Sequence, residues 1–208
     1  MQWINTYELQ MHEPVQSSQE WQGIQVQLRA AIEAIVWPPD STKFTINPTK
    51  KGNGVPPIKQ AFIDTLKLHA WETQRAAVPK VGKVDAVLST AIGVFGVEWE
   101  TGNISSSHRS LNRLSLGLHF KTLVGGILVL PSRKLYSYLT DRIGNVPELS
   151  PYFTLYKLLP LQQCMLVVLE IEHDSEDPSV QLIKKGTDGW ALIAKSKREA
   201  SQQQKLFE

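Results

Sequence analysis

Cysteine is nearly absent from the sequence, and long apolar runs are missing altogether. The single cysteine, Cys164, excludes an intrachain disulfide framework and a paired-cysteine metal site, as expected for a protein of a reducing, cytoplasmic compartment. No apolar stretch reaches the roughly 20 residues that a membrane-spanning helix needs, and the N-terminus lacks the pattern of a secretory signal. We therefore expect no membrane partner.

A strong charge of either sign is also missing. The 208 residues include 22 Lys and Arg and 20 Asp and Glu, which gives a net charge of +2. The distribution is uneven, because residues 41–83 contain eight cations and two acids, whereas acids cluster between residues 170 and 177. A folded chain could collect these cations on one face that suits nucleic acid. From charge alone, solvated lysines spread over the surface are the simpler interpretation.

The apolar pattern predicts one α/β or α+β domain that spans residues 1–208. Hydrophobic residues recur at spacings of three and four between Trp21 and Ile35, which makes residues 1–35 an N-terminal helical region. Residues 185–208 are expected to form a polar C-terminal tail. Between these ends, strands are expected at 83–89, 94–100, 126–130 and 165–171, and helices after Pro56-Pro57, from Ser105 to Lys121 and from Arg133 to Arg142.

Carboxylates cluster in two neighbouring strand-like runs. If residues 90–93 close a hairpin, the pairing places Asp85 opposite Glu98 and Lys83 opposite Glu100. Opposed residues have Cβ atoms about 5 Å apart and share a face of the sheet, and alternation adds Glu100 to the face of Glu98. The spacing therefore predicts three carboxylates within reach of one divalent cation.

Such a cluster of like charges favours a hard cation with oxygen ligands. Mg²⁺ is the expected ion, with Mn²⁺ as a possible substitute, because either would neutralise the carboxylates. One or two such ions could polarise a phosphodiester and stabilise the leaving oxygen. The alternative is a solvated strand face with a salt bridge between Lys83 and Glu100.

The run VEWETGNISSSHRSLNRLSLGL, at residues 97–118, resembles a family of type II restriction endonucleases. The likeness extends upstream through STKFTINPTKKGNGVPPIK and downstream through LYSYLTDRIGNVPELSPYF, and covers about residues 36–189. The family belongs to the PD-(D/E)xK nucleases but has glutamate where most relatives have the catalytic lysine, and Glu100 shares that departure. The resemblance implies a mixed β-sheet flanked by helices, a restriction-endonuclease-like core.

The resemblance also implies the roles of the residues that would cut DNA. Asp85 and Glu98 would bind the metal ions, with the main-chain carbonyl of Trp99 as a further ligand. Glu100 would orient or deprotonate the attacking water, and Lys59 would hold the scissile phosphate. One family glutamate does not carry over, because Gln74 stands at its position. Either Glu72 substitutes after a small shift, or a second metal is held less tightly.

The DNA-reading residues implied by the resemblance lie in two segments. Asn103, Ser105 and Arg109 are expected at the start of a helix, and Asp141 and Arg142 in a second element. Arginine suits guanine, aspartate suits cytosine and asparagine suits adenine, so the implied site is the palindrome GGATCC. Simpler readings exist: Asn103 and Ser105 as helix caps, and Asp141 with Arg142 as a surface ion pair.

A palindromic double-stranded site implies a homodimer with two-fold symmetry. By resemblance, the helix from Ser105 to Lys121 would meet the partner through Leu116, His119 and Phe120. Two functions therefore compete: an active Mg²⁺-dependent endonuclease, or a catalytically weak DNA-binding homologue that kept the scaffold. The presence of Asp85, Glu98 and Glu100 favours the first, and Gln74 the second.

Overall fold

A mixed six-stranded sheet forms the centre of the computed structural model, which describes residues 1–78, 82–100, 102–140 and 143–185. Its strands are β1 (Gln2–Met11), β3 (Glu72–Val78), β4 (Gly82–Thr90), β5 (Gly93–Trp99), β6 (Gly125–Pro131) and β7 (Met165–Glu172). The spatial order is β1-β7-β6-β5-β4-β3, with β5, β6 and β7 parallel and the outer strands antiparallel to their neighbours. A two-stranded parallel sheet joins β2 (Thr45–Ile46) to β8 (Ser175–Glu176).

Helices cover both faces of the central sheet, as expected. One face packs against α1 (Gln19–Glu33) and α2 (Pro56–Leu68). The short α4 (Arg133–Tyr136) lies on the same side and contributes Leu135 to this core. The other face packs against α3 (Ile104–His119), α5 (Val146–Leu149) and α6 (Phe153–Lys157), and a 3₁₀ turn (Ser150–Tyr152) joins α5 to α6. Alternate residues of β6 separate the two cores, because Ile127 and Val129 face the first and Leu128 and Leu130 the second. In the part of the chain that the structure describes, no helix has the length and apolarity to cross a bilayer.

The N-terminal region differs from the prediction. Residues 2–11 form the edge strand β1, and only residues 19–33 are helical, beginning after the N-cap Ser18. The strand was missed because its side chains alternate poorly between exposed and buried positions and its pairing with β7 contains two irregularities. A second strand that the pattern did not reveal, β3, pairs with β4. The predicted tail lies outside the described residues, apart from its first residue, Lys185.

The helix expected at residues 105–121 is confirmed as α3, with a different first residue. Its N-cap is Asn103, whose side-chain oxygen accepts a hydrogen bond from Ser106 N at 3.1 Å. The helix expected from Arg133 onwards is shorter than predicted and ends at Tyr136. Asp141 and Arg142 lie outside the described residues.

We expect Phe62→Ala to destabilise the fold substantially. Phe62 is fully buried in α2 and packs on Trp99 of β5, with ring centroids 4.6 Å apart. Removing the ring should lower the free energy of unfolding by about 3–5 kcal/mol, because a cavity remains. Urea denaturation measures the change, and Val26→Ala, on the exposed face of α1, serves as the control. Equal midpoints for the two variants would contradict this packing.

Candidate active site

The β4–β5 hairpin has the pairing that the sequence predicts. Thr90 lies opposite Gly93, and the ladder continues in step to Ala86 opposite Val97. Gly93 has a φ of +134°, and a Cβ atom there would lie 2.5 Å from the Val124 side chain, so only glycine fits this turn. Continuing the same register by one residue brings Asp85 to the position opposite Glu98.

Asp85 lies where the ladder of main-chain pairs ends. Its carboxylate is 7% exposed, and Oδ2 accepts a hydrogen bond from Trp99 N at 2.9 Å. The other oxygen, Oδ1, lies 2.7 Å from Lys59 Nζ of α2. The side chain of Asp85 thus contacts two of the predicted site residues directly.

Glu98 is a buried acid with a cationic partner. It is 4% exposed and forms an ion pair with Arg113 of α3. The pKa of Glu98 is raised to about 7, mainly by burial and also by the negative charges of Asp85 and Glu100, while Arg113 opposes the shift. The three predicted carboxylates are therefore close enough to influence one another electrostatically.

Arg113 is a site residue that the sequence analysis missed. Besides its ion pair with Glu98, it donates a hydrogen bond from Nη1 to the carbonyl oxygen of Lys83 at 2.8 Å. One signal could have found it, since Arg113 lies four residues after Arg109 and so shares its side of α3. Asp85 and Glu98 therefore each have a cationic partner, Lys59 and Arg113, supplied by helices on opposite faces of the sheet.

Glu100 corrects the prediction of three carboxylates around one cation. Its Oε1 accepts a hydrogen bond from Gly102 N at 2.6 Å, and its Oε2 accepts one from Ser110 Oγ at 2.8 Å. Within residues 1–78, 82–100, 102–140 and 143–185, no three His, Cys, Asp or Glu side chains are grouped to hold a metal. Glu100 departs from the group because it follows the end of β5 and accepts hydrogen bonds from Gly102, in the loop before α3, and from Ser110, within α3. Glu100 therefore pairs with these donors and not with Lys83, the salt-bridge partner that the alternative interpretation gave it.

The donor set of Asp85 and Glu98 nevertheless fits a hard divalent cation. Both are buried carboxylates on neighbouring strands, and burial together with the nearby negative charge raises the pKa of Glu98, so a cation would stabilise its charged form. The main-chain carbonyl of Trp99 follows directly after Glu98 in the chain. These three groups are the ones that could hold a metal ion at this edge of the hairpin.

Glu72 and Gln74 occupy different surroundings in β3. Glu72 forms an ion pair with Arg75, and both side chains are more than half exposed. The pairs Thr73↔Ala86 and Arg75↔Val84 flank Gln74, which places it in register with Asp85. The position at which the family glutamate is missing thus lies beside the predicted metal ligand.

The predicted DNA-reading residues that the structure describes lie at the start of α3. Asn103 caps the helix, Ser105 is exposed, and Arg109 donates a hydrogen bond from Nη2 to Ser106 Oγ at 2.9 Å. The structure therefore contains the helix cap that the sequence analysis gave as the alternative role of Asn103. Asn103 also forms an antiparallel bridge with Ile143, so the residue that follows Asp141 and Arg142 pairs with the first reading segment.

Comparison with known proteins identifies relatives over most of the chain. Residues 1–190 match the family model of restriction endonuclease BamHI, so the match includes the N-terminal residues in which the sequence showed little resemblance. The type II restriction enzyme OkrAI of Oceanobacter kriegii is 45% identical over 170 residues, which cover 80% of this chain and 88% of that protein. The type II restriction enzyme BamHI of Bacillus amyloliquefaciens is 35% identical over 175 residues, 78% of this chain and 80% of that protein.

Among solved structures, restriction endonuclease BglII in complex with a DNA 16-mer is similar over 55% of each chain, with 12% identity and a TM-score of 0.45. The sequence matches are far more extensive than this structural likeness. On the strength of those matches, the chain belongs to the BamHI family of type II restriction enzymes, which are site-specific deoxyribonucleases.

Proposed function

We propose that this chain cuts double-stranded DNA at a palindromic site with Mg²⁺, or with Mn²⁺ in its place, and that it does so as a homodimer. The observation that carries the catalytic part is the pair of buried carboxylates, Asp85 and Glu98, brought together by the β4–β5 register. Asp85, Glu98 and the Trp99 carbonyl would hold the metal, with Glu72 as a candidate further ligand once it leaves Arg75. When bound, the ion would supply Lewis-acid stabilisation of the scissile phosphate and the leaving oxygen.

The remaining site residues have roles that follow from their contacts. Lys59, with Nζ 2.7 Å from Asp85, carries a positive charge at the point where the phosphate would enter. Gly102 N and Ser110 Oγ fix both oxygens of Glu100, so that this carboxylate is held in one orientation toward an attacking water. Glu100 would orient that water or accept its proton.

The first prediction concerns the carboxylates. Asp85→Asn and Glu98→Gln should each abolish cleavage of plasmid DNA in Mg²⁺, because each removes a charged ligand from the metal site. DNA binding should persist, since other residues read the bases, and gel shifts in Ca²⁺ measure it. Ca²⁺ is suitable because it is larger than Mg²⁺ and less exacting in its geometry. Glu33→Gln, an exposed carboxylate of α1, is the control, and full activity of Asp85→Asn would refute the assignment.

We infer that the bases are read by Asn103, Ser105 and Arg109 at the start of α3, together with Asp141 and Arg142. Ser105 and Arg109 are exposed in the first turns of α3, where the helix N-terminus can approach a phosphate or a groove edge. Ile143, bridged to Asn103, connects the second segment to the first. Arginine and aspartate fit the two G·C pairs of each half-site, and asparagine with serine fits the A·T pair. We therefore propose GGATCC as the recognition site.

The second prediction is that DNA cut by the purified protein has ends that map to GGATCC. Sequencing the ends of digested genomic DNA measures this directly. Arg109→Ala should slow cleavage of the site by about 10- to 100-fold, because a bidentate contact to guanine contributes about 1–3 kcal/mol. Arg29→Ala, in α1, is the matched control. Ends at any other hexamer would show that the reading residues act differently here.

The proposed dimer interface is an exposed apolar surface along α3 and α6. Phe120, Leu155 and Leu158 are 59%, 61% and 76% exposed. The two elements lie side by side, because Tyr156 Oη donates a hydrogen bond to Asn112 Oδ1 at 3.0 Å, and Tyr152 contacts His108 with ring centroids 4.7 Å apart. Exposed apolar side chains that form one patch mark protein–protein contacts, and the proposed interface takes these three to belong to one patch. The surface includes Phe120 and adjoins His119 and Leu116, as the resemblance implies.

The third prediction is a dimer in solution. Sedimentation at micromolar concentration should give a species of twice the 23.4 kDa chain mass. Phe120→Glu should shift the protein toward monomer, because it places a charge in an apolar contact. Val26→Glu makes the same change at a residue of α1 that is 70% exposed, and should leave the dimer intact. A wild-type protein that sediments only as a 23.4 kDa species would contradict the proposal.

A further inference from the structure

Asn53 is a fully buried polar residue that lies in the loop before α2, outside the catalytic cluster. Its Nδ2 donates hydrogen bonds to the carbonyl oxygens of Asn47 at 2.8 Å and Tyr138 at 3.0 Å. Its Oδ1 accepts one from Ile183 N at 3.2 Å. The carboxamide therefore joins three segments that are remote from one another in the sequence.

The backbone of Asn53 contacts one of these segments a second time. Its N–H donates to Tyr138 O at 3.0 Å, and its carbonyl accepts from Thr140 N at 2.7 Å. With the side chain, this makes five hydrogen bonds at one residue. Both N–H groups of the amide and its oxygen are used, so aspartate lacks the donors, and alanine lacks both donors and acceptor.

The segment held by Asn53 leads directly into the second proposed reading element. Thr140 precedes Asp141, and Ile143 follows Arg142. On the downstream side, Ile143 bridges Asn103, and Gly144 N donates to Gly102 O at 2.9 Å. The chain is thus anchored immediately before and immediately after the two reading residues, by Asn53 on one side and the start of α3 on the other.

We propose that Asn53 is a positioning residue for base recognition. It holds the main chain at Tyr138 and Thr140, and so sets the place from which Asp141 and Arg142 reach the DNA. This inference rests on the proposed function, because it requires that those two residues read bases. Base discrimination is sensitive to such support, since a recognition group must be held within about 0.5 Å of its productive position.

The test compares Asn53→Ala with Asn47→Ala in the full-length chain. Asn47 is a matched control because its Nδ2 also donates to two carbonyls, those of Pro178 at 3.0 Å and Val180 at 2.7 Å, and its Oδ1 accepts from Thr49 N at 3.0 Å. None of these partners belongs to the segment at residues 138–140. Both variants should lower the melting temperature, because Asn53→Ala leaves buried main-chain groups without partners and Asn47→Ala leaves partly buried ones.

The two variants should differ in specificity. Specificity is measured as the cleavage rate at GGATCC divided by the rate at a site with one changed base. We expect Asn53→Ala to lower this ratio by about tenfold. Asn47→Ala should leave the ratio unchanged. Gel shifts in Ca²⁺ on the same DNAs should show the same loss of discrimination in binding. Amide hydrogen exchange should rise at Thr140 in Asn53→Ala, and at Thr49, whose N–H loses its acceptor, in Asn47→Ala.

Three results would overturn the proposal. The first is an unchanged ratio in Asn53→Ala despite a lower melting temperature, and the second is an equal change in both variants. The third is fast exchange of the Thr140 amide in the wild type, a measurement that needs no variant to fold. Asn53→Ser, which replaces the carboxamide with a hydroxyl that can still donate and accept, is the milder substitution. Failure of the wild type to cut or bind any DNA would instead refute the proposed function, and with it the premise of this inference.

Discussion

The pairing of β4 with β5 is the constraint on which the catalytic geometry depends. The register is set by a two-residue turn, which is followed by a glycine with positive φ at position 93. Five residues before Thr90, that register brings Asp85 to the level of Glu98. A slip of one residue would send one of these acids to the opposite face of the sheet. It would also break the hydrogen bond from Trp99 N to Asp85 Oδ2, which lies at the end of the hairpin.

Cations from both faces of the sheet make this concentration of buried acid tolerable. Lys59 pairs with Asp85, and Arg113 pairs with Glu98, yet burial and the neighbouring charges still raise the pKa of Glu98 to about 7. A buried charge is stabilised only when paired and hydrogen-bonded, so these partners make the site compatible with folding. The same contacts hold the two carboxylates in place, and in the proposed function a divalent ion would supply the positive charge that Lys59 and Arg113 now provide.

Local patterns in the sequence predicted the parts of the fold that depend on neighbouring residues. The hairpin register followed from alternation and a turn, and α3 followed from apolar spacing, because both arise within one short stretch of chain. The strand β1 could not be predicted in this way, since it is stabilised by pairing with β7, more than 150 residues away. The ion pair of Arg113 with Glu98 and the orientation of Glu100 likewise depend on how α3 packs against the sheet.

The resemblance supplied residue roles that pattern alone would not have assigned. Spacing placed Asp85, Glu98 and Glu100 on one face, but it could not show that Glu100 turns to Gly102 N and Ser110 Oγ. For Gln74, the resemblance and the structure agree. Its alignment to a family glutamate is consistent with the β3–β4 register, which brings it level with Asp85. Glu72, the neighbouring carboxylate, pairs instead with Arg75 at the surface.

The helix α3 has a consequence for how such an enzyme can change. Its 16 residues include the partner of Glu100, Ser110, and the partner of Glu98, Arg113, and they are flanked by the N-cap Asn103 and by the exposed Phe120. An α-helix advances 1.5 Å and turns about 100° per residue, so an inserted or deleted residue would rotate one part of this series away from its partners. Within α3, exchanges of one side chain for another keep this series in phase, whereas a change of length would cost several contacts of the site at once.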